Sequence, residues 1–410
     1  MNKERICELA QKINDILYNE MGITTFKERV ILLGCTAIVE KEKILHKNWN
    51  DFINCLCDEV SKKDNILVKE LKKIKPTLSG NLDNFIKYVN EINFHEHDVM
   101  AIFFNELNKY KTKSDGGQVF TPQHIASFMC RLLECNKNDR ILDATCGSGT
   151  FLVEGLKYSD EVYGNELYQD VYALACANML IYKNNTDNLN NLDALSPEAG
   201  EWIRSKNITK VLMNPPYERK YGCMKIVTNV LDNVPKGTKC AFILPEKKLE
   251  KDNGKKLLYN HTLTTIIKMP EDLFFGVGVT TSIYVFEAGV PQILKIKEND
   301  KVVEKVQRNI ATFYLEDDGL VTVKNKGRQD VHDRWQTIED EWITKIQQLE
   351  GAEWINPLEH LSYQVPEKEF ALYFEDFMKV AVDYTLFEQN ISPKELGNKL
   401  ANIALYGKGE

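Results

Sequence analysis

The chain has 410 residues, 43% of them hydrophobic and 27% charged, with a net charge of −8. This balance describes a soluble globular protein of about two or three domains, and apolar runs as short as "VILLGCTAIV" (30–39) exclude a bilayer-spanning helix. The acidic total also argues against a chain that holds nucleic acid by itself, which would carry a basic excess.

The N-terminus "MNKERICELAQKIND" alternates charged and apolar residues at helical spacing and lacks the apolar block of a secretory signal, so a cytoplasmic location is expected. Ten cysteines are scattered without Cys-x-x-Cys spacing. The close pairs Cys55/Cys57 and His95/His97 do not recur as a zinc site requires, so no metal is expected and the thiols read as reduced.

In chain order, residues 1–112 read as a helical domain. "KERICELAQKINDILYNEM" and "DNFIKYVNEINFHEHDVMAIFFNELNKY" carry apolar residues three and four apart. The polar, Gly-rich "KTKSDGGQ" (111–118) marks a boundary. From 113 to 290 short β-branched runs alternate with helical patterns: "RILDA", "EVYGNEL", "KVLMN", "KCAFILP", "TTIIKMP" and "TSIYVFEAG". Such alternation predicts a parallel-dominated α/β sheet. The remaining 291–410 form a mixed or helical region. There "RNIATFYLEDDGLVTVKN" reads as a hairpin, "DRWQTIEDEWITKIQQLEG" as a helix, and "SPKELGNKLANIALYGKGE" as a terminal helix opened by Ser392 and Pro393.

Within the middle domain, "RILDATCGSGTFLVEGL" (140–156) is a strand, an acid, a Gly-x-Gly turn and a helix. The glycines allow a tight turn and close approach of a ligand to a helix start. The loop lacks the Gly-Lys-Ser/Thr of a phosphate loop and the third glycine of a dinucleotide fingerprint. A carboxylate at Asp143 repels a pyrophosphate and suits a cation, and S-adenosylmethionine carries both an ammonium and a sulfonium. Glu166, 23 residues on, ends the next strand, where an acid accepts from ribose hydroxyls. Asp193 in "NNLDAL" can accept from an adenine amino group. Asn214 ends a further strand in "VLMNPPY", where Pro215 and Pro216 stop the ladder and stiffen the backbone before Tyr217. Four polar side chains after four apolar runs can meet on one sheet edge. Between 219 and 256, ten lysines and arginines face four acids, which reads as either a solvated face or a phosphate-facing patch.

The ordered set "GGQVFTP", "LDATCGSGTFL", "YGNEL", "NLDAL" and "NPPY" resembles amino-group adenine DNA methyltransferases, above all the modification subunits of type I restriction–modification systems. The resemblance covers about residues 95–290. It implies a Rossmann-like S-adenosylmethionine-dependent methyltransferase sheet beside a helical N-terminal domain, and methyl transfer to N6 of a flipped-out adenine in double-stranded DNA. By this resemblance Phe120, Thr121 and Pro122 line the cofactor pocket, Asp143, Gly147 and Gly149 belong to the glycine loop, Glu166 holds the ribose and Asp193 the adenine. Asn214, Pro215, Pro216 and Tyr217 form the catalytic motif. Tyr217 stacks on the target base, and Phe274 is favoured over Phe275 as the second ring. The family's organisation implies a separate DNA-specificity subunit and two modification subunits per complex. "NPPY" is also shared with RNA and protein-glutamine methyltransferases, the first alternative. A catalytically silent scaffold or DNA-binding subunit is the second.

Overall fold

Asparagine and aspartate side chains start several of the N-terminal helices. α1 (Lys3–Asp15) runs on through a π-helical turn at Ile16–Glu20 and is followed by α2 (Phe26–Ala37), α3 (Trp49–Val60), α4 (Asn65–Leu71), α5 (Leu82–Asn90) and α6 (Val99–Leu107). Asn48, Asp64 and Asn81 accept from the backbone N–H groups of Asp51, Leu67 and Asn84, satisfying donors that the first turns of α3, α4 and α5 leave open. The computed structural model describes residues 3–364 apart from 40–47, 79, 95–98, 108–120, 184, 219–221, 252–253, 272, 274–278, 299–300 and 324–326, together with isolated positions between 378 and 397. Met1–Tyr363 form one compact unit and Gln364–Glu410 a second. In the second unit Met378, Val382 and Tyr384 are exposed, and most of the expected terminal helix, including Pro393, lies outside the described residues.

The strands follow. β1 (Ile141–Asp143), β2 (Val162–Asn165), β3 (Leu189–Asn190), β4 (Lys210–Met213), β5 (Lys239–Pro245), β6 (Thr262–Lys268) and β7 (Thr281–Glu287) precede a separate hairpin of β8 (Ile293–Glu298) and β9 (Lys301–Val306). Then come β10 (Ile310–Tyr314), a small ribbon of β11 (Val321–Val323) and β12 (Gly327–Gln329), and finally β13 (Glu353–Ile355). Nine of them make one sheet in the order β13-β10-β6-β7-β5-β4-β1-β2-β3. β1 to β5 are parallel to their neighbours within that group, and β10 is parallel to β6. β7 runs against both β5 and β6, and β13 against β10.

One sequence expectation is corrected here. Residues 308–325 are not a hairpin: β10 joins the main sheet, while β11 pairs with β12. The cause is burial. "IATF" is buried throughout, as a strand covered on both faces must be, whereas Val321 and Thr322 are exposed.

Helices cover both faces. α7 (Gln123–Leu132), α8 (Thr150–Gly155), α9 (Gln169–Lys183) and, later in the chain, α13 (Trp335–Gln348) pack on one side. α10 (Pro197–Ser205), α11 (Cys223–Asn233) and the short α12 (Lys248–Lys251) pack on the other. β5 shows the strand period directly: Ala241 and Ile243 enter the first core, and Cys240, Phe242 and Leu244 the second. The first core continues without a break into the N-terminal helices through Leu9, Val30, Leu33 and Phe52. α2 meets α9 at Gly34, where an added Cβ would sit 2.7 Å from the Ala177 methyl carbon. Lys27 pairs with Asp170 at 2.6 Å along the same contact.

Candidate active site

Because β1, β2, β3 and β4 are adjacent and parallel, the residues that follow them emerge along one edge. That edge gathers Asp143, Glu166, Asp193 and Asn214, as the four apolar runs suggested. Asp143 and Glu166 are buried, 3% and 9% exposed, and Asp193 is exposed.

Between β1 and α8 the chain turns on two glycines in the left-handed region, Gly147 at φ 56° and Gly149 at φ 88°. An added Cβ at Gly147 would meet nothing within 4 Å, so the loop presents bare backbone to open space. Glu166 braces this turn: its two oxygens accept from Gly147 N and Tyr168 N, each at 3.0 Å. Asp143 accepts from Thr145 N at 3.0 Å. Burial, reinforced by the nearby Glu166 carboxylate, pushes the Asp143 carboxyl up to about 8 against the single backbone hydrogen bond. Burial likewise raises the Glu166 carboxyl above its ordinary range.

Several side chains here escaped sequence reasoning. Asn165, 2% exposed, donates to the Ala144 and Leu192 carbonyls, both at 3.1 Å, and accepts from Leu192 N at 3.0 Å. One amide thus ties the glycine loop to the segment carrying Asp193. Asn191 donates to the Glu166 carbonyl at 2.6 Å, and Asn178 on α9 to the Ser148 carbonyl at 2.6 Å. Thr145 Oγ1 is buried with no hydrogen-bond partner among the described residues. Leu167, Tyr168 and Leu195 are large apolar side chains left exposed directly beside Glu166 and Asp193. The only signal for them in the sequence was their adjacency to the acids.

At the end of β4, Asn214 is half-buried and doubly held. Its Nδ2 donates to Thr121 Oγ1 at 3.2 Å, and its Oδ1 accepts from the Tyr217 hydroxyl at 2.6 Å. Burial raises the Tyr217 phenol well above its usual value, so it stays protonated and able to donate. Thr121 and Pro122 precede α7, with Pro122 as its N-cap. A cleft lined in part by Thr121, Asp143, Thr145, Gly147, Phe151 and Asn214 joins the glycine loop to the Asn214 side. Phe120, Phe274 and Phe275 lie outside the described residues, so the expected second ring has no place in this geometry.

The basic run 219–256 is not one surface. Lys239 begins β5 and pairs with Glu134 at 2.8 Å, and Lys255 pairs with Glu304 at 2.8 Å. Lys247 follows the far end of β5, the end that neighbours Asn214. A seven-residue strand separates Lys239 from that end, about 20 Å at ~3.3 Å per residue. Arg219 and Lys220 lie outside the described residues. No group of three or more His, Cys, Asp or Glu able to hold a metal occurs among the described residues, and no described helix is long and apolar enough to cross a membrane.

Residues 96–254 match the family model for the N-6 DNA Methylase. The chain resembles the N6-adenine methyltransferases of restriction–modification systems. It is 27% identical over 377 residues to the type II restriction enzyme and methyltransferase RM.BcgI of Heyndrickxia coagulans, covering 81% of this chain and 55% of that protein. It is 23% identical over 300 residues to the type I restriction enzyme StySPI methylase subunit of Salmonella potsdam, covering 60% of this chain and 56% of that one. The chain thus spans about half the length of these curated relatives. A solved type I restriction-modification system methyltransferase subunit from Streptococcus thermophilus superposes with a TM-score of 0.64 at 14% identity, covering 88% of this chain and 97% of that one. The α/β methyltransferase fold with its helical N-terminal region is shared.

Proposed function

We propose that the chain is an S-adenosylmethionine-dependent DNA methyltransferase acting on the N6 amino group of a flipped-out adenine, in the cytoplasm, as part of a restriction–modification or related system. The observation that carries this reading is the placement of the Asn214 carboxamide, held by Thr121 and Tyr217, in one cleft with the glycine loop and the buried Asp143.

The residues present fit the cofactor. Gly147 leaves its backbone open, Thr145 Oγ1 is a buried polar atom without a partner among the described residues, and Asp143 is a buried acid that a cation would stabilise. Glu166 and Asp193 are placed to accept from ribose hydroxyls and an adenine amino group. Leu167, Tyr168 and Leu195 offer apolar surface to a flat ring. Gly149, Pro122 and Thr121, with Phe120, complete the set. When bound, the cofactor supplies a methyl group already activated by its sulfonium.

The chain's own task is then to prepare the nitrogen. The exocyclic amine of adenine is a weak nucleophile because its lone pair is delocalised into the ring. Asn214 Oδ1 and the Pro215 carbonyl can accept its two hydrogens and favour a tetrahedral nitrogen with the lone pair directed outward. Pro215 and Pro216 keep that carbonyl fixed, so the arrangement is preorganised. The target must leave the duplex to enter the cleft. The Tyr217 ring can stack on it, with Phe274 or Phe275 as the opposite face, and such stacking is worth about 1–3 kcal/mol per base.

Site choice falls to a partner in this reading: a DNA-specificity subunit, with two modification subunits in the complex. Specific recognition buries about 1,000–2,500 Å² of protein, and the net charge of −8 and the divided basic run supply no continuous surface of that kind. The test is incubation of the purified chain with tritiated S-adenosylmethionine and DNA, RNA or protein, with and without its co-expressed partner. Label entering DNA as N6-methyladenine supports the reading, and label entering only RNA or protein overturns it. Efficient methylation of one defined sequence by the chain alone would remove the partner from it.

A further inference from the structure

The Asn214 carboxamide has two ends that differ by one atom, and only the oxygen can accept from an amino group. Turned the other way, the amide would point its own NH2 at the target NH2, two donors face to face. Something must therefore choose the orientation. Two hydroxyls touch the amide, Thr121 at 3.2 Å on one end and Tyr217 at 2.6 Å on the other. The lengths assign the ends. A separation of 2.6 Å suits an O–H···O bond and 3.2 Å an N–H···O bond, so Nδ2 faces Thr121 and Oδ1 faces Tyr217.

We infer that Thr121 is a positioning residue that sets the polarity of the catalytic carboxamide: its hydroxyl takes one amide hydrogen of Asn214 and so keeps Oδ1 turned toward the target base. The inference rests on the methyltransferase reading above and gives Thr121 a task in addition to lining the cofactor pocket. The amide oxygen has two lone pairs. One accepts from Tyr217, and the second remains for the amino group of a base lying against the Tyr217 ring.

The hydroxyl is carried on a braced support. Thr121 lies just before α7, and α7 is anchored on its far side by residues late in the chain. His124 contacts the fully buried Asp318 at 3.2 Å and packs edge-on against Trp335, with ring centroids 4.8 Å apart. Asp318 also pairs with Arg328 and accepts from Leu320 N at 3.0 Å. Further along α7, Arg131 pairs with Glu339 at 2.9 Å and Asp340 at 2.7 Å on α13. These contacts fix the start of α7, and with it the position of the Thr121 oxygen. The His124–Asp318 contact joins residues 194 positions apart in sequence.

The experiment replaces the native gene with Thr121→Val, Thr121→Ser, Thr121→Ala or Asn214→Ala and follows N6-methyladenine in host DNA by modification-sensitive sequencing after timed induction. S-adenosylmethionine affinity of each purified full-length chain is measured by calorimetry. Thr121→Val keeps the shape and removes the acceptor. It should lower the methylation rate by about tenfold to hundredfold, the scale of a misplaced catalytic group, with cofactor affinity within about threefold of wild type. Thr121→Ser should restore most of the rate, and Thr121→Ala should resemble the valine variant if valine folds poorly. A wild-type rate in both Thr121→Val and Thr121→Ala overturns the inference. So does a lost rate that returns at saturating cofactor, which would leave Thr121 with a binding role alone. If wild type and Asn214→Ala methylate equally, the functional reading itself fails, a result distinct from either.

Discussion

Asp143 and Glu166, on the β1–β2 side of the site, are buried and tied to backbone N–H groups at 3.0 Å, while Asn214 and Tyr217, at the end of β4, are half-buried and held largely through each other and Thr121. On the first side Asn165 adds three more hydrogen bonds to backbone. The contrast follows from what each side awaits. A small cofactor must find its pocket already formed, since ordering the pocket on binding would cost affinity. A flipped base brings its own stacking surface and arrives with the rest of the DNA, so its side is built with fewer internal restraints.

The largest expected effect lies on the sparsely held side. Asn214→Ala should lower methylation by about a hundredfold to a thousandfold, the range for losing one aligned polar group at a reacting centre, and leave cofactor binding nearly intact by calorimetry. Full activity in this variant would erase the division between the two sides. Next come the cofactor acids. Glu166→Ala and Asp193→Ala should each weaken S-adenosylmethionine binding by about 1–3 kcal/mol, the cost of a lost buried hydrogen bond. Unchanged affinity in both would take them out of the site.

A pH series sharpens the same comparison. The Asp143 carboxyl, raised to about 8, holds its proton at neutral pH in the free protein, and a cationic ligand would expel it. Cofactor affinity should therefore rise with pH up to about 8 and then level, with proton release visible in buffers of different ionisation enthalpy. Asp143→Asn should flatten that part of the profile. The sign for folding is opposite: the native state binds more protons than the unfolded chain between its ordinary value and about 8, so stability of the free protein falls as pH rises through that window. The smallest effect belongs to Tyr217→Phe, which keeps the ring and loses one contact to Oδ1. A few-fold loss in rate is expected, against a larger loss in Tyr217→Ala. Equal losses would show that the hydroxyl matters more than the ring.

Much of this was legible in the sequence. Strand-then-acid is a local pattern, so β1, β2 and β4 and the side chains after them could be placed from short stretches. The glycine turn was local too. What escaped were relations between distant segments. Asn165 reads as an ordinary strand residue until its partners, 21 and 27 positions away, are in place. The basic run looked continuous because sequence hides strand length, and β5 carries its two ends apart. β10 was assigned to the wrong neighbour because a five-residue apolar run does not say which strand it will lie beside.

The contact between Gly34 and Ala177 limits how this molecule can vary. Two helices from different parts of the chain approach there with no room for one methyl group. Any side chain at position 34 would push the N-terminal helices off α9, and α9 in turn holds the glycine loop through Asn178. A change more than a hundred residues upstream in sequence would thus surface first as a looser cofactor pocket. The helical part could not be exchanged for that of a relative unless the incoming helix also offered a bare backbone at that point.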